Sequence, residues 1–268
     1  MNLSAAIEHK YSRIAGAEGT LFVDDGGEGN IPVVFVHSFA GDVSHWKDQL
    51  DHVREARRAI AFDLRGHGKS DSVSSGNYSI EAMANDIAAL VDGLDLERFI
   101  LVGHSMGGSA SIEYANSHTS RVAGLMIAGT PGKTSEEISK PVISSLRSDA
   151  YQKVMDDYMK QLFTHGKPEV VARVNQARQK LSRETTIELI KALFEFDPIE
   201  KLTRYPGPKL VVYADGEGSQ PNALIKQVQQ IPNVEMDGTS HWMHLDKPLK
   251  FNMILDNFLK EIDKKELR

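Results

Sequence analysis

The 268-residue chain reads as an α/β protein with a mostly parallel central sheet flanked by helices. Three observations predict this class. Short, continuous apolar runs bounded by turn residues recur at 31–36, 58–62 and 99–102, as strands covered on both faces require. Segments with apolar residues at helical spacing fall between such runs, and this alternation favours parallel strands joined by right-handed crossovers. The run at 99–102 then passes directly into Gly103-His104-Ser105-Met106-Gly107-Gly108, a glycine-flanked turn leading into a small-residue helix.

Taken in order, residues 11–14 and 20–23 have strand character and predict an N-terminal hairpin, followed by the glycine-rich turn Asp25-Gly-Gly-Glu-Gly29. The buried run 31–36 is the next strand, and 58–62 the one after it. From Ser79, the residues Ile80, Met83, Ile87, Leu90, Val91 and Leu94 keep helical phase, with Ser79 as N-cap and Tyr78 and Met83 as a hydrophobic staple. Strands at 99–102, 122–128 and 210–213 continue the series and 234–236 is a weaker last member, so about six strands run parallel. The final helix carries Pro248 near its first turn and Phe251, Ile254, Leu255, Phe258 and Ile262 in phase.

The alternation breaks between about 131 and 200. No strand is convincing there, and the spacing predicts three or four short helices, with three placed at 149–163, 168–181 and 183–196. This segment is read as a helical cap inserted after the sixth strand, with 1–130 and 201–268 forming the core. It carries eleven basic and eleven acidic residues, so it has no net charge. Met155, Tyr158, Met159, Leu162 and Phe194 give it an apolar underside that either lines a substrate pocket or seals the segment to the core.

Thirty-one Lys and Arg stand against 37 Asp and Glu, a formal charge of −6, with no dense basic stripe, so nucleic acid is not an expected partner. Cysteine is absent, which excludes disulfides, thiolate metal sites and a thiol nucleophile together. The first ten residues show no basic stretch leading into an apolar one, and no run approaches the roughly 18 apolar residues of a membrane span. The expected location is the cytoplasm.

A serine hydroxyl is a weak nucleophile unless it is held clear of its surroundings and given a base. Gly103 and Gly107 keep Cβ atoms out of the turn around Ser105, and Gly108 lets the following helix pack closely. Together with Asp63-Leu-Arg-Gly-His-Gly-Lys-Ser70 and His241-Trp-Met-His-Leu-Asp-Lys-Pro248, this turn resembles the α/β-hydrolase superfamily, in particular a serine esterase-like member with a helical cap. The resemblance covers essentially the whole chain.

It implies Ser105 as nucleophile and His241 as base. His244 lies three residues on and is expected to begin the last helix. The acid is implied in the loop after 210–213, where Glu217 takes the usual aspartate position ahead of Pro221; Asp215 is the alternative. Backbone N–H groups of Phe39 and Met106 are the implied oxyanion donors. Ser38 replaces a glycine usual in the family, so its hydroxyl is a candidate extra donor. His37, His104, Arg65 and His67 sit in matching motifs and are read as hydrogen-bonding the loops. Ser38, His104, Trp46 and Trp242 are also placed among the residues touching substrate, with core closure as the other reading of Trp46.

The implied activity is hydrolysis of carboxylic esters or thioesters of small to medium apolar acyl groups, through an acyl-enzyme that needs no cofactor or metal. A C–C bond hydrolase, lactonase or perhydrolase would use the same residues, and a ligand receptor with a vestigial triad is the alternative of another class. Haloalkane dehalogenases and epoxide hydrolases are set aside, because the family resemblance puts an aspartate where this chain has Ser105.

Overall fold

The computed structural model describes residues 9–228 and 230–266; most of the N-terminal stretch in which no leader was read lies outside them. The elements are β1 (His9–Ala15), β2 (Thr20–Gly26), β3 (Val33–Val36), α1 (Lys47–Val53), β4 (Ala59–Phe62), α2 (Ile80–Gly93), β5 (Phe99–His104), α3 (Met106–Ser117) and β6 (Val122–Ala128). Then come α4 (Glu136–Leu146), α5 (Tyr151–Leu162), α6 (Pro168–Arg178), α7 (Arg183–Glu195), α8 (Ile199–Arg204), β7 (Lys209–Ala214), α9 (Leu224–Gln227), β8 (Asn233–Met236), α10 (Met243–Asp246) and α11 (Pro248–Glu266). Among the described residues eight strands form one sheet in the order β1-β2-β4-β3-β5-β6-β7-β8.

The six strands from β4 to β8 in that order run parallel, and the β1–β2 hairpin adds an antiparallel edge. Alternation along each strand divides the core. Val34 and Val36 face the cluster built by α2 and α3, whereas Val33 and Phe35 face the cluster built by α1 and α11. Ser79 caps α2 by accepting from the Ala82 N–H, as its position predicts.

Helices α5, α6 and α7 fall where the spacing placed them, and α4 precedes them. Its apolar phase is hidden in the sequence by Pro141, which sits inside the helix and reads as a break. The last helix also differs in one detail. His244 belongs to the separate short helix α10, and α11 begins only at Pro248.

Arg65 and Asp86 tie the turn after β4 to α2. The guanidinium meets the carboxylate through two bonds of 2.6 and 2.8 Å and spends two more donors on the carbonyls of Asn77 and Ala82. Both side chains are almost fully buried, so each charge depends on the other for compensation. Asp86→Ala should lower unfolding stability by about 3–5 kcal/mol in urea titration, and Arg65→Met combined with Asp86→Leu should recover much of that loss.

Five histidines, His37, His45, His67, His104 and His244, are buried at the carboxyl ends of the strands. Burial is the main cause that lowers the pKa of each; it takes His45 and His67 to about 3. These rings are therefore neutral in the native state at neutral pH, while in the unfolded chain they titrate near 6.5. Below that value the unfolded state binds protons that the native state refuses. Each ring therefore contributes stability at neutral pH that is lost as the pH falls below the unfolded value. Asp63, raised by burial, opposes this as a single group. Cooperative acid unfolding should begin between pH 6 and 5, read by circular dichroism, and replacing His45 and His244 by apolar residues should move the midpoint to lower pH.

Candidate active site

The site is assembled where β5, β6, β7 and β8 end. At the end of β5, Ser105 turns the chain into α3 with φ 53° and ψ −115°, a region that side-chain-bearing residues avoid and that concentrates at functional turns. Its N–H donates to the Ala128 carbonyl at 2.8 Å, and its hydroxyl makes no capping bond to α3. The helix can approach this closely because residue 107 has no side chain. A Cβ on Gly107 would lie 2.3 Å from the His37 carbonyl oxygen and 2.4 Å from that of Val36, so any other residue would separate α3 from the turn after β3.

His241 follows β8, and four separate segments hold it. Nδ1 lies 2.5 Å from Glu217 Oε1, whose partner oxygen accepts the Ala214 N–H at 2.8 Å. The His241 N–H donates to the Leu162 carbonyl at 3.0 Å, and its own carbonyl accepts from His104 Nε2 at 2.8 Å. The ring rests on Gly129, at φ +56°, where a Cβ would stand 3.0 Å from Cε1 and 3.1 Å from Nδ1. Ser105 and His241 are thus both seated on residues 128–130, where Thr130 Oγ1 also donates to the Ser105 carbonyl at 3.3 Å.

Asp215, the alternative acid, is committed elsewhere. It accepts the Gly238 N–H at 3.1 Å and lies 3.8 Å from His165. The Phe39 and Met106 N–H groups donate no hydrogen bond among the described residues, and the positive end of the α3 dipole adds to them. Ala40, beside Phe39, holds φ 57°, a second strained backbone position at this rim. His37 fixes the turn: Nδ1–H donates to the Ser38 carbonyl at 2.7 Å, while Nε2 accepts the Leu64 N–H at 2.9 Å. That bonding uses the neutral ring, which burial favours.

Several residues placed at the substrate by position in the sequence have other work in the structure. Ser38, Trp46, His104, Trp242 and Met155 are each at most 1% exposed, and the structure shows what each packs on or bonds to. The Ser38 hydroxyl donates to the Phe39 carbonyl and accepts from Trp242 Nε1, so it is already paired rather than pointed at an oxyanion. Trp46 stacks on His244 at 4.3 Å and packs on Phe35 and Phe251 in the α1–α11 layer, which settles it as core. His104 supports the His241 backbone, and the Trp242 indole packs between Phe163 and the rings of His241 and His104. Met155 and Met159 join the core cluster beneath α5, whereas Tyr158, Leu162 and Phe194 keep partial exposure. Burial, with the Glu217 charge adding to it, pushes the Tyr158 hydroxyl up to about 12, so it remains a hydrogen-bond donor. Ser105 itself is only 4% exposed, which makes the site nearly closed in this conformation.

Gly129, Ser240 and Asp246 escaped the sequence reading. Gly129 stands in a loop with no carboxylate or base to attract notice. Asp246 lay inside the quoted histidine motif, between Leu245 and Lys247 and two residues ahead of Pro248.

The alpha/beta hydrolase family profile matches residues 33–253. A non-heme chloroperoxidase from Kitasatospora aureofaciens is 32% identical over 90% of this chain and 96% of its own length. Epoxide hydrolase 3 from Xenopus tropicalis is 28% identical, covering 96% of this chain and 79% of its own. Among solved structures, a thermophilic esterase from Thermogutta terrifontis superposes with a TM-score of 0.80 at 23% identity, over 94% of this chain and 99% of its own. The chain belongs to the alpha/beta hydrolase family.

Proposed function

We propose that this protein is a serine hydrolase that cleaves carboxylic esters or thioesters of small to medium apolar acyl groups through an acyl-enzyme. One observation carries the reading: the 2.5 Å contact between His241 Nδ1 and Glu217 Oε1, made beside the strained turn that presents Ser105. Glu217 holds the imidazole with Nδ1 protonated, leaving the Nε2 lone pair to act as base. Nε2 takes the Ser105 proton as Oγ attacks the carbonyl carbon. The Phe39 and Met106 N–H groups stabilise the oxyanion, and the protonated imidazole then gives its proton to the departing alcohol or thiol. Water, deprotonated by the same nitrogen, attacks the acyl-enzyme and releases the acid with Ser105 restored.

In this reading residues 131–200 form a cap over a core made of 1–130 and 201–268, and Tyr158, Leu162 and Phe194 line the acyl pocket. The largely apolar lining supports an apolar acyl group, with the Tyr158 hydroxyl as one polar anchor. Relatives also include a 3-oxoadipate enol-lactonase and a 2-hydroxy-6-oxononadienedioate hydrolase, so lactones enter the test below and 2-hydroxy-6-oxononadienedioate is assayed beside them.

Assay of the purified protein on p-nitrophenyl esters, thioesters, lactones and peracid formation should find its highest kcat/KM on esters or thioesters. A fluorophosphonate probe should label the native protein, and Ser105→Ala should abolish labelling while lowering turnover by up to about 10⁶. Near-normal turnover in Ser105→Ala would end the acyl-enzyme reading.

The two acids separate in kinetics. Glu217→Gln should lower kcat by about 10³–10⁴ with the fold intact, as loss of the orienting carboxylate does in such sites. Asp215→Asn should stay within a few-fold of the parent. The reverse pattern would transfer the role to Asp215.

A further inference from the structure

We infer that Asp246 is a positioning residue that fastens the α5–α6 corner to the loop carrying His241, so that the two move as one unit. The inference rests on the reading of His241 as the base. The carboxylate is 1% exposed. Oδ1 accepts the Lys167 N–H at 2.9 Å, from the residue that precedes α6. Oδ2 accepts both the Ser240 N–H at 2.8 Å and the Ser240 hydroxyl at 2.6 Å. One buried carboxylate therefore bridges two segments 73 residues apart, Lys167 and Ser240.

Its partners are neutral donors, not a cation, and charge-assisted bonds to a buried carboxylate are stronger than neutral ones. A second tie lies beside the first, where the His241 N–H meets the Leu162 carbonyl. Ser240 Oγ accepts the Trp242 N–H at 3.2 Å, so the backbone on both sides of His241 is pinned. Phe163 packs on the Trp242 ring at 5.0 Å, and a Cβ on Gly166 would meet Ser240 Cβ at 3.2 Å. The corner 162–167 is thus clamped to 240–242 from both ends. By contrast, the side-chain bonds of α4 and α7 run between the helical segments themselves, as in Arg147 with Glu188 and Arg183 with the Leu146 and Ser148 carbonyls.

Two variants test this. Lys167→Pro keeps the native φ of −67° but replaces the N–H that Asp246 accepts with a ring carbon set against Oδ1, so the bond is lost and the carboxylate must shift. Asp246→Asn places an NH₂ where one of the two sets of donors now points. In the intact protein, hydrogen exchange at the Ser240 and His241 amides should be slow, and in both variants it should accelerate at 240–242 while the sheet strands stay protected. On an ester substrate kcat should fall on the order of tenfold or more with KM changed little, as small displacements of a reacting group do. Should Asp246→Asn fail to fold, Lys167→Pro decides. Unchanged exchange at 240–242 and unchanged kcat in folded Lys167→Pro would overturn the proposal. The exchange result needs no turnover, so absence of fluorophosphonate labelling in the unmodified protein would count against the hydrolase reading alone.

Discussion

The constraint on which the site depends is the seating of one imidazole against glycine. His241 packs on Gly129 so closely that a single methyl group there would intrude on Nδ1 and Cε1. The same short stretch, 128–130, binds the backbone of Ser105 through Ala128 and Thr130. The end of β6 is therefore a common floor for residues that arrive from two other strands. Parallel topology makes this unavoidable: β5, β6, β7 and β8 all finish at one rim, which is where ligands bind in open sheets of this kind.

Keeping that rim in one conformation requires burying polar groups, and the fold meets the cost unevenly. Arg65 and Asp86 satisfy each other and several carbonyls, and His37 satisfies both of its nitrogens while remaining neutral. His45 and His244 lie nearby with no hydrogen-bond partner for either ring nitrogen among the described residues. Unpaired buried polar atoms disfavour the folded state, and packing offsets this for His244 through its stack on Trp46. The same burial holds the ring behind His241 uncharged. A cation on His104 would repel the imidazolium that the proposed mechanism forms on His241.

The strand positions were legible because a strand covered on both faces must be apolar throughout, and all eight were visible as runs or alternations. The turn at Ser105 was legible because a tight strand-to-helix turn leaves glycines around it, whereas His241 was singled out only through the family resemblance of its segment. What stayed hidden was of a different kind. Helix α4 was masked by Pro141, a local signal that packing against α5 and α7 overrides. Trp46 kept two readings and Trp242 was placed at the substrate because an indole beside a motif looks the same in the sequence whether it faces a pocket or a core; only the packing in three dimensions separates the two. The role of Asp246 is a relation between two loops distant in the chain, and one-dimensional spacing carries no such information.

In the proposed reaction, the near-burial of Ser105 bears on how the helical segment 131–200 is anchored. At 4% exposure the proposed nucleophile Ser105 is almost wholly covered by its surroundings. The 162–167 corner is a poor candidate for displacement, since lifting it would break the bonds to Leu162 and Asp246 and carry His241 out of register with Glu217. Helices α4 and α7 are tied mainly to each other and to neighbouring helical segments through apolar contacts and exposed ion pairs, interactions that can shift without touching the base.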